Sequence, residues 1–106
     1  MLLYCVIVLV LIYYWATPTR VVYFWRPGCP YCTAFTPIWD AAVLRTQCKV
    51  QKINIYAPTT STELSIYERE KPHMKGVPHV VKYSWRGREV FKGDRTIEFL
   101  NKFINH

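Results

Sequence analysis

Residues 21–25, Val-Val-Tyr-Phe-Trp, set five large apolar side chains in succession with no alternation of apolar and polar. A strand of that kind must be covered on both faces, which calls for a sheet with further layers above and below it. Arg26-Pro27-Gly28 breaks the run. From Pro30 the period changes: Phe35, Ile38, Trp39, Ala42 and Val43 recur at spacings of three and four, one face of a helix. Pro37 falls inside that helix and is expected to kink it.

The rest of the chain continues the pattern. Residues 50–55 alternate Val, Ile and Ile with Gln, Lys and Asn, which predicts a strand. Residues 57–61 are turn-rich, and Ser61 or Thr62 is placed to cap a helix over residues 63–70 that Lys71-Pro72 ends. Gly76-Val77-Pro78 leads into a strand at residues 79–84, and Arg86-Gly87 marks a hairpin turn into residues 89–92. Gly93-Asp94 opens a last amphipathic helix with Ile97, Leu100, Phe103 and Ile104 on one face. The order β-α-β-α-β-β-α makes the first two strands parallel, through a crossover helix, and the last two an antiparallel hairpin. The expected fold class is α/β, a mixed four-stranded sheet flanked by helices over residues 20–106.

Residues 1–16, MLLYCVIVLVLIYYWA, carry no charge, no Gly and no Pro. As a helix they would rise roughly 24 Å, slightly short of a bilayer core of about 30 Å, and residues 17–19 or local thinning would make up the deficit. Tyr13, Tyr14 and Trp15 look like an interfacial aromatic belt. A cleaved signal peptide would want a basic start and small residues before the cut. A buried core helix apolar on all faces would suit a partner of about 90 residues poorly. Residues 1–17 are therefore expected to be a single-pass N-terminal membrane anchor, with the signal peptide and the core helix as alternatives. Positive charge after the block (Arg20, Arg26) places the domain on the cytoplasmic side by the positive-inside rule.

The net charge is +7. Its basic residues are spread out, with no run of three and no nucleic-acid module. Anionic headgroups would use the same charge, and a nucleic-acid partner is not expected.

Cys29-Pro30-Tyr31-Cys32 lies just after the buried strand, on the first turn of a helix. Free N–H groups and the dipole at a helix head favour a thiolate. Cys29, the more exposed of the pair, is thus the expected nucleophile, and Cys32, one turn further in, the resolving thiol. Pro30 suits a first turn because no donor is needed there. Structural zinc needs four ligands, and Cys48, His73 and His79 show no ligand spacing, so no metal is expected. A disulfide spanning two residues would staple almost nothing. Cys5 reads as an inert lipid-facing residue and Cys48 as half-buried, with a regulatory or intermolecular disulfide at Cys48 left open.

Phe24-Trp25-Arg26-Pro27-Gly28-Cys29-Pro30-Tyr31-Cys32 resembles the active-site strand and loop of thioredoxins and protein disulfide isomerase domains. Pro37 matches that family's helix-kinking proline, Lys52-Ile53-Asn54-Ile55 its next strand, and Gly76-Val77-Pro78 the loop that holds its cis-proline. Phe91-Lys92-Gly93-Asp94-Arg95-Thr96 and the residues after it are similar to the end of a disulfide isomerase domain. The resemblance implies a thioredoxin-like fold. It implies a cis Pro78 beside the cysteines, a Val77 backbone that pairs with extended substrate, and apolar contact from Trp25 and Tyr31, with a plain core role as the alternative for Trp25. It also implies a thiol–disulfide oxidoreductase that exchanges disulfides with protein substrates through Cys29 and Cys32. Such an enzyme has no cofactor beyond its own redox-active disulfide and is recycled by a redox partner enzyme or by glutathione.

Three departures bear on that expectation. The family's opening strand and helix have no counterpart. Tyr23 stands where the family has a buried acid, leaving Lys52 without its partner and making proton exchange at Cys32 slower or routed through water. Pro30-Tyr31 is the glutaredoxin version of the motif, which keeps a glutathione-dependent reductase as an alternative, although Lys92-Gly93-Asp94 replaces the glutaredoxin Gly-Gly. A non-catalytic membrane-anchored metal- or partner-binding module is the third reading. The disulfide isomerase resemblance points to an oxidising lumen, against the charge rule. His79 is expected at the surface.

Overall fold

The computed structural model describes residues 1–16, 19–44, 46 and 48–105, with the backbone alone for residues 13–16. The elements are α1 (Leu2–Ala16), β1 (Arg20–Trp25), α2 (Pro30–Val43), β2 (Lys49–Asn54), α3 (Ser61–Glu70), β3 (His79–Ser84), β4 (Gly87–Val90) and α4 (Ile97–Asn105), with a single 3-10 turn at Lys71–His73. The sheet runs β2-β1-β3-β4. β1 is parallel to β2 and antiparallel to β3, and β3 is antiparallel to β4. This is the expected mixed α/β architecture.

β1 divides the core. Val21 and Tyr23 point to one face, among Phe35, Trp39 and Ala42 of α2 and Leu100 and Ile104 of α4. Val22 and Phe24 point to the other, with Ile53 and Val81 and the half-buried Ile66 and Tyr67 of α3. The unalternating run is thus covered twice over, and Val21, Val22 and Phe24 each contribute about 1.5–3 kcal/mol by leaving water. Asn101 Nδ2 donates to the Ala42 carbonyl at 2.9 Å, tying α4 to the end of α2.

Several boundaries differ from those read in the sequence. Thr60, not Ser61 or Thr62, caps α3: its Oγ1 accepts from the Glu63 N–H at 3.1 Å, and the Glu63 carboxylate reaches back to the Thr59 N–H at 3.3 Å. The β3–β4 turn is Trp85-Arg86, because Ser84 pairs with Gly87, so β4 starts and ends two residues early. α4 opens at Ile97, behind Thr96, whose Oγ1 accepts from the Phe99 N–H at 3.3 Å.

The membrane anchor expected over residues 1–17 is overturned. α1 has 15 residues, a rise of roughly 22 Å, where a bilayer core needs about 20 residues. No helix among the described residues is long and apolar enough to cross a membrane. α1 is not a buried core helix either: of its described side chains only Val8 is half-buried, and the rest, Cys5 included, are exposed. The side chains of Tyr13, Tyr14 and Trp15, read as an aromatic belt, lie outside the described residues, as do Thr17 and Pro18.

Candidate active site

β1 delivers the chain to the site. After Trp25 the backbone turns at Gly28, whose φ of 77° is a conformation that L side chains rarely adopt. Cys29 follows as the residue that precedes α2, with extended φ and ψ of −86° and 115°, and Pro30 occupies the first turn. The Cys29 carbonyl accepts from the Thr33 N–H at 3.0 Å and from Thr33 Oγ1 at 3.1 Å. Its side chain makes no capping bond, so the thiol is left facing the open N–H groups of the turn.

Those groups set the two thiols apart. The Cys32 N–H beside it holds the Cys29 thiol below its ordinary value; the Cys32 thiol, the Tyr31 N–H and the charge of Arg26 add to this, and burial opposes it. Burial pushes the Cys32 thiol up, with Cys29 adding to the rise, while the Arg26 backbone and the Tyr23 hydroxyl pull the other way. One thiol is therefore poised to ionise and its neighbour to stay protonated. Their exposure does not separate them as the sequence suggested: Cys29 is 3% exposed and Cys32 2%. The loop before β3 closes over Cys29, whose thiol donates to the Val77 carbonyl across 3.8 Å. The Val77–Pro78 peptide is cis.

Tyr23 lies under the pair. Its hydroxyl donates to the Cys32 carbonyl at 3.3 Å and is 3.1 Å from Thr36 Oγ1, which itself donates to the same carbonyl at 2.8 Å. Its ring packs against Phe35 and Trp39, with centroids 5.0 and 5.3 Å away. Burial lifts its hydroxyl to about 12, so it stays protonated near neutrality. Lys52 is opposite Tyr23 in register, yet its ammonium sits 5.2 Å from the centroid of Trp25. Trp25 is half-buried against the α2 side of the core and does not line the groove beside Cys29. Tyr31 does line it, exposed, with the Arg95 guanidinium 5.9 Å from its ring centroid.

A second polar centre was not legible in the sequence. Glu70, the last residue of α3, is 1% exposed. It accepts from Tyr83 Oη at 2.7 Å and from Arg88 Nε at 2.7 and 2.9 Å, with a further bond from Arg88 Nη2, and it meets His79 Nε2 at 2.9 Å. Burial alone would raise this carboxyl; the bonds from Arg88, His79 and Tyr83 outweigh it and hold the group at about 2. His79, next to Pro78, is consequently buried rather than at the surface. The spacing of Ile66, Tyr67 and Glu70 on one helical face was the available signal.

Cys48 is half-buried against α4, its thiol 3.4 Å from the Ile104 carbonyl. Among the described residues no group of three or more His, Cys, Asp or Glu side chains is placed to hold a metal ion.

No family sequence model matches the chain, and no curated protein matches it in sequence. Solved structures do match it in shape. The J-Trx1 fragment of ERdj5 superposes with a TM-score of 0.64 at 19% identity, over 83% of this chain and 40% of that one. The first two thioredoxin domains of Eps1p from Naumovozyma dairenensis give 0.64 and 19%, over 83% of this chain and 34% of that one. The first thioredoxin domain of mouse protein disulfide-isomerase A4 gives 0.61 and 16%, over 81% of this chain and 60% of that one. The chain thus spans between about a third and three fifths of the length of these structures, and it has the thioredoxin fold.

Proposed function

We propose that this chain is a thiol–disulfide oxidoreductase that exchanges disulfides with protein substrates through Cys29 and Cys32. The observation that carries this reading is the contrast within the pair. The same helix head pulls one thiol toward ionisation and leaves the other protonated behind it. The thioredoxin fold shared with disulfide isomerase domains supports it.

In the first step the Cys29 thiolate attacks one sulfur of a substrate disulfide. The substrate S–S bond breaks, its other sulfur leaves as a thiolate and is protonated, and a mixed disulfide with Cys29 remains. Cys32 then loses its proton and attacks Cys29 Sγ, releasing the second substrate sulfur as a thiolate that is protonated in turn. Two electrons have passed from the dithiol to the substrate, and Cys29 and Cys32 are joined. The reverse sequence oxidises a substrate dithiol. Tyr23, protonated and hydrogen-bonded at Cys32, offers no base, so the Cys32 proton leaves through water or to the departing thiolate. The Val77 backbone pairs with the extended substrate, Tyr31 and Pro78 flank the reacting sulfur, and Trp25 braces the end of β1.

The test is a pair of single variants assayed on a disulfide-bonded protein. Cys29→Ser should abolish turnover, and Cys32→Ser should accumulate a covalent adduct that dithiothreitol releases. Turnover that survives Cys32→Ser and requires glutathione would contradict the dithiol route.

A further inference from the structure

The loop 76–78 is flanked by two open grooves. The one beside Cys29, of about 590 Å³, presents Arg26, Lys71 and Lys75 among aromatic side chains. The other, of about 550 Å³, lies beyond Pro78 and presents Lys75 again with His73, Lys92 and Arg95. Among the described residues no acidic side chain lines either groove. The chain has seven Asp and Glu residues in all. Among the described residues the only ion pairs are those of Glu70 with His79 and Arg88, so Arg26, Lys71, Lys75, Lys92 and Arg95 are not neutralised by ion pairs there.

Three of these cations rest on tyrosine faces that hold them at the rim. Arg26 lies 6.0 Å from the centroid of Tyr56, Lys71 6.0 Å from that of Tyr67, and Arg95 5.9 Å from that of Tyr31. Five of the chain's fourteen Lys and Arg residues, none of them ion-paired among the described residues, therefore border the two grooves on either side of loop 76–78. A field of one sign around a shallow cleft raises the local concentration of the opposite charge and speeds encounter with it.

Building on the oxidoreductase reading, we propose that the site selects acidic protein segments, extended chains carrying Asp or Glu on both sides of the reacting cysteine. A strand laid along Val77 advances about 3.3 Å per residue, so side chains one to three positions from its cysteine reach the cations of one groove or the other.

The experiment compares kcat/KM of the full chain on three disulfide-bonded peptides of equal length whose cysteine is flanked by Glu, by Gln or by Lys, together with oxidised glutathione. The expected order is Glu, Gln, Lys. The spread should be on the order of tenfold at about 20 mM salt and collapse toward unity at about 500 mM. In a Lys75→Glu, Arg95→Glu variant the Glu-to-Gln ratio should fall severalfold. Equal turnover of the three peptides at low salt would overturn the selection while leaving the oxidoreductase intact. Oxidised glutathione turned over faster than the Glu peptide would assign the cations to a small carboxylate substrate and overturn the protein-segment claim. No turnover of any peptide would overturn the oxidoreductase reading and this inference with it.

Discussion

The Tyr23 hydroxyl lies 3.3 Å from the carbonyl oxygen of Cys32, so the floor of the cysteine pair is a neutral donor rather than a charge. Removing it with Tyr23→Phe keeps the ring packing against Phe35 and Trp39 and should cost about 1 kcal/mol, read by urea unfolding. The ordinary tyrosine value is 10.0 and the folded one about 12, so the folded state disfavours ionisation. Stability from this group is present below pH 10 and declines as pH rises from there through about 12, a loss that Tyr23→Phe should lack.

Glu70 predicts the opposite pH dependence. Its folded value of about 2 lies below the ordinary 4.5, so its contribution is complete above pH 4.5 and lost as pH falls through 2. The span corresponds to roughly 3 kcal/mol. Glu70→Ala leaves Arg88, His79 and Tyr83 facing an empty site and should cost about 3–5 kcal/mol, visible as a lowered thermal midpoint. Because His79 follows Pro78, the same variant should also slow attack by Cys29 in single-turnover kinetics.

Thr60→Ala should cost about 1 kcal/mol, since it strips the acceptor from the Glu63 N–H at the head of α3. Ser61→Ala and Thr62→Ala should each cost clearly less in the same denaturation series.

Gly28→Ala tests the turn that aims Cys29. A Cβ there meets nothing within 4 Å, so the penalty is backbone strain at φ 77° alone, about 1–2 kcal/mol. Circular dichroism should show a folded protein, and thiol alkylation should show a less reactive Cys29.

The layered core was legible because residues 21–25 of β1 carry no charged side chain, and the helix period of residues 35, 38, 39, 42 and 43 named the face of α2 that covers it. The Cys29-to-Cys32 motif was legible from its place between strand and helix. The cap of α3 was obscured by four hydroxyl residues in a row, 59–62, though Thr60 with Glu63 three residues on matches the capping-box spacing, and Thr60 accepts from the Glu63 N–H. His79 was misplaced because its partner closes α3, nine residues earlier, and no local pattern pairs them. The N-terminal block was read as an anchor by its hydropathy despite a rise already short of a bilayer core, and α1, over the described Leu2–Ala16, keeps that shortfall.

The Cys29 sulfur ionises early because of the N–H groups it faces. Alkylation of Cys29 by iodoacetamide, followed peptide by peptide with mass spectrometry from pH 4 to pH 10, measures that ionisation directly. The Cys29 midpoint should fall below the roughly 8.5 of a free cysteine, with Cys32 reacting only at higher pH. A Cys29 midpoint at or above 8.5, or Cys32 titrating first, would contradict it.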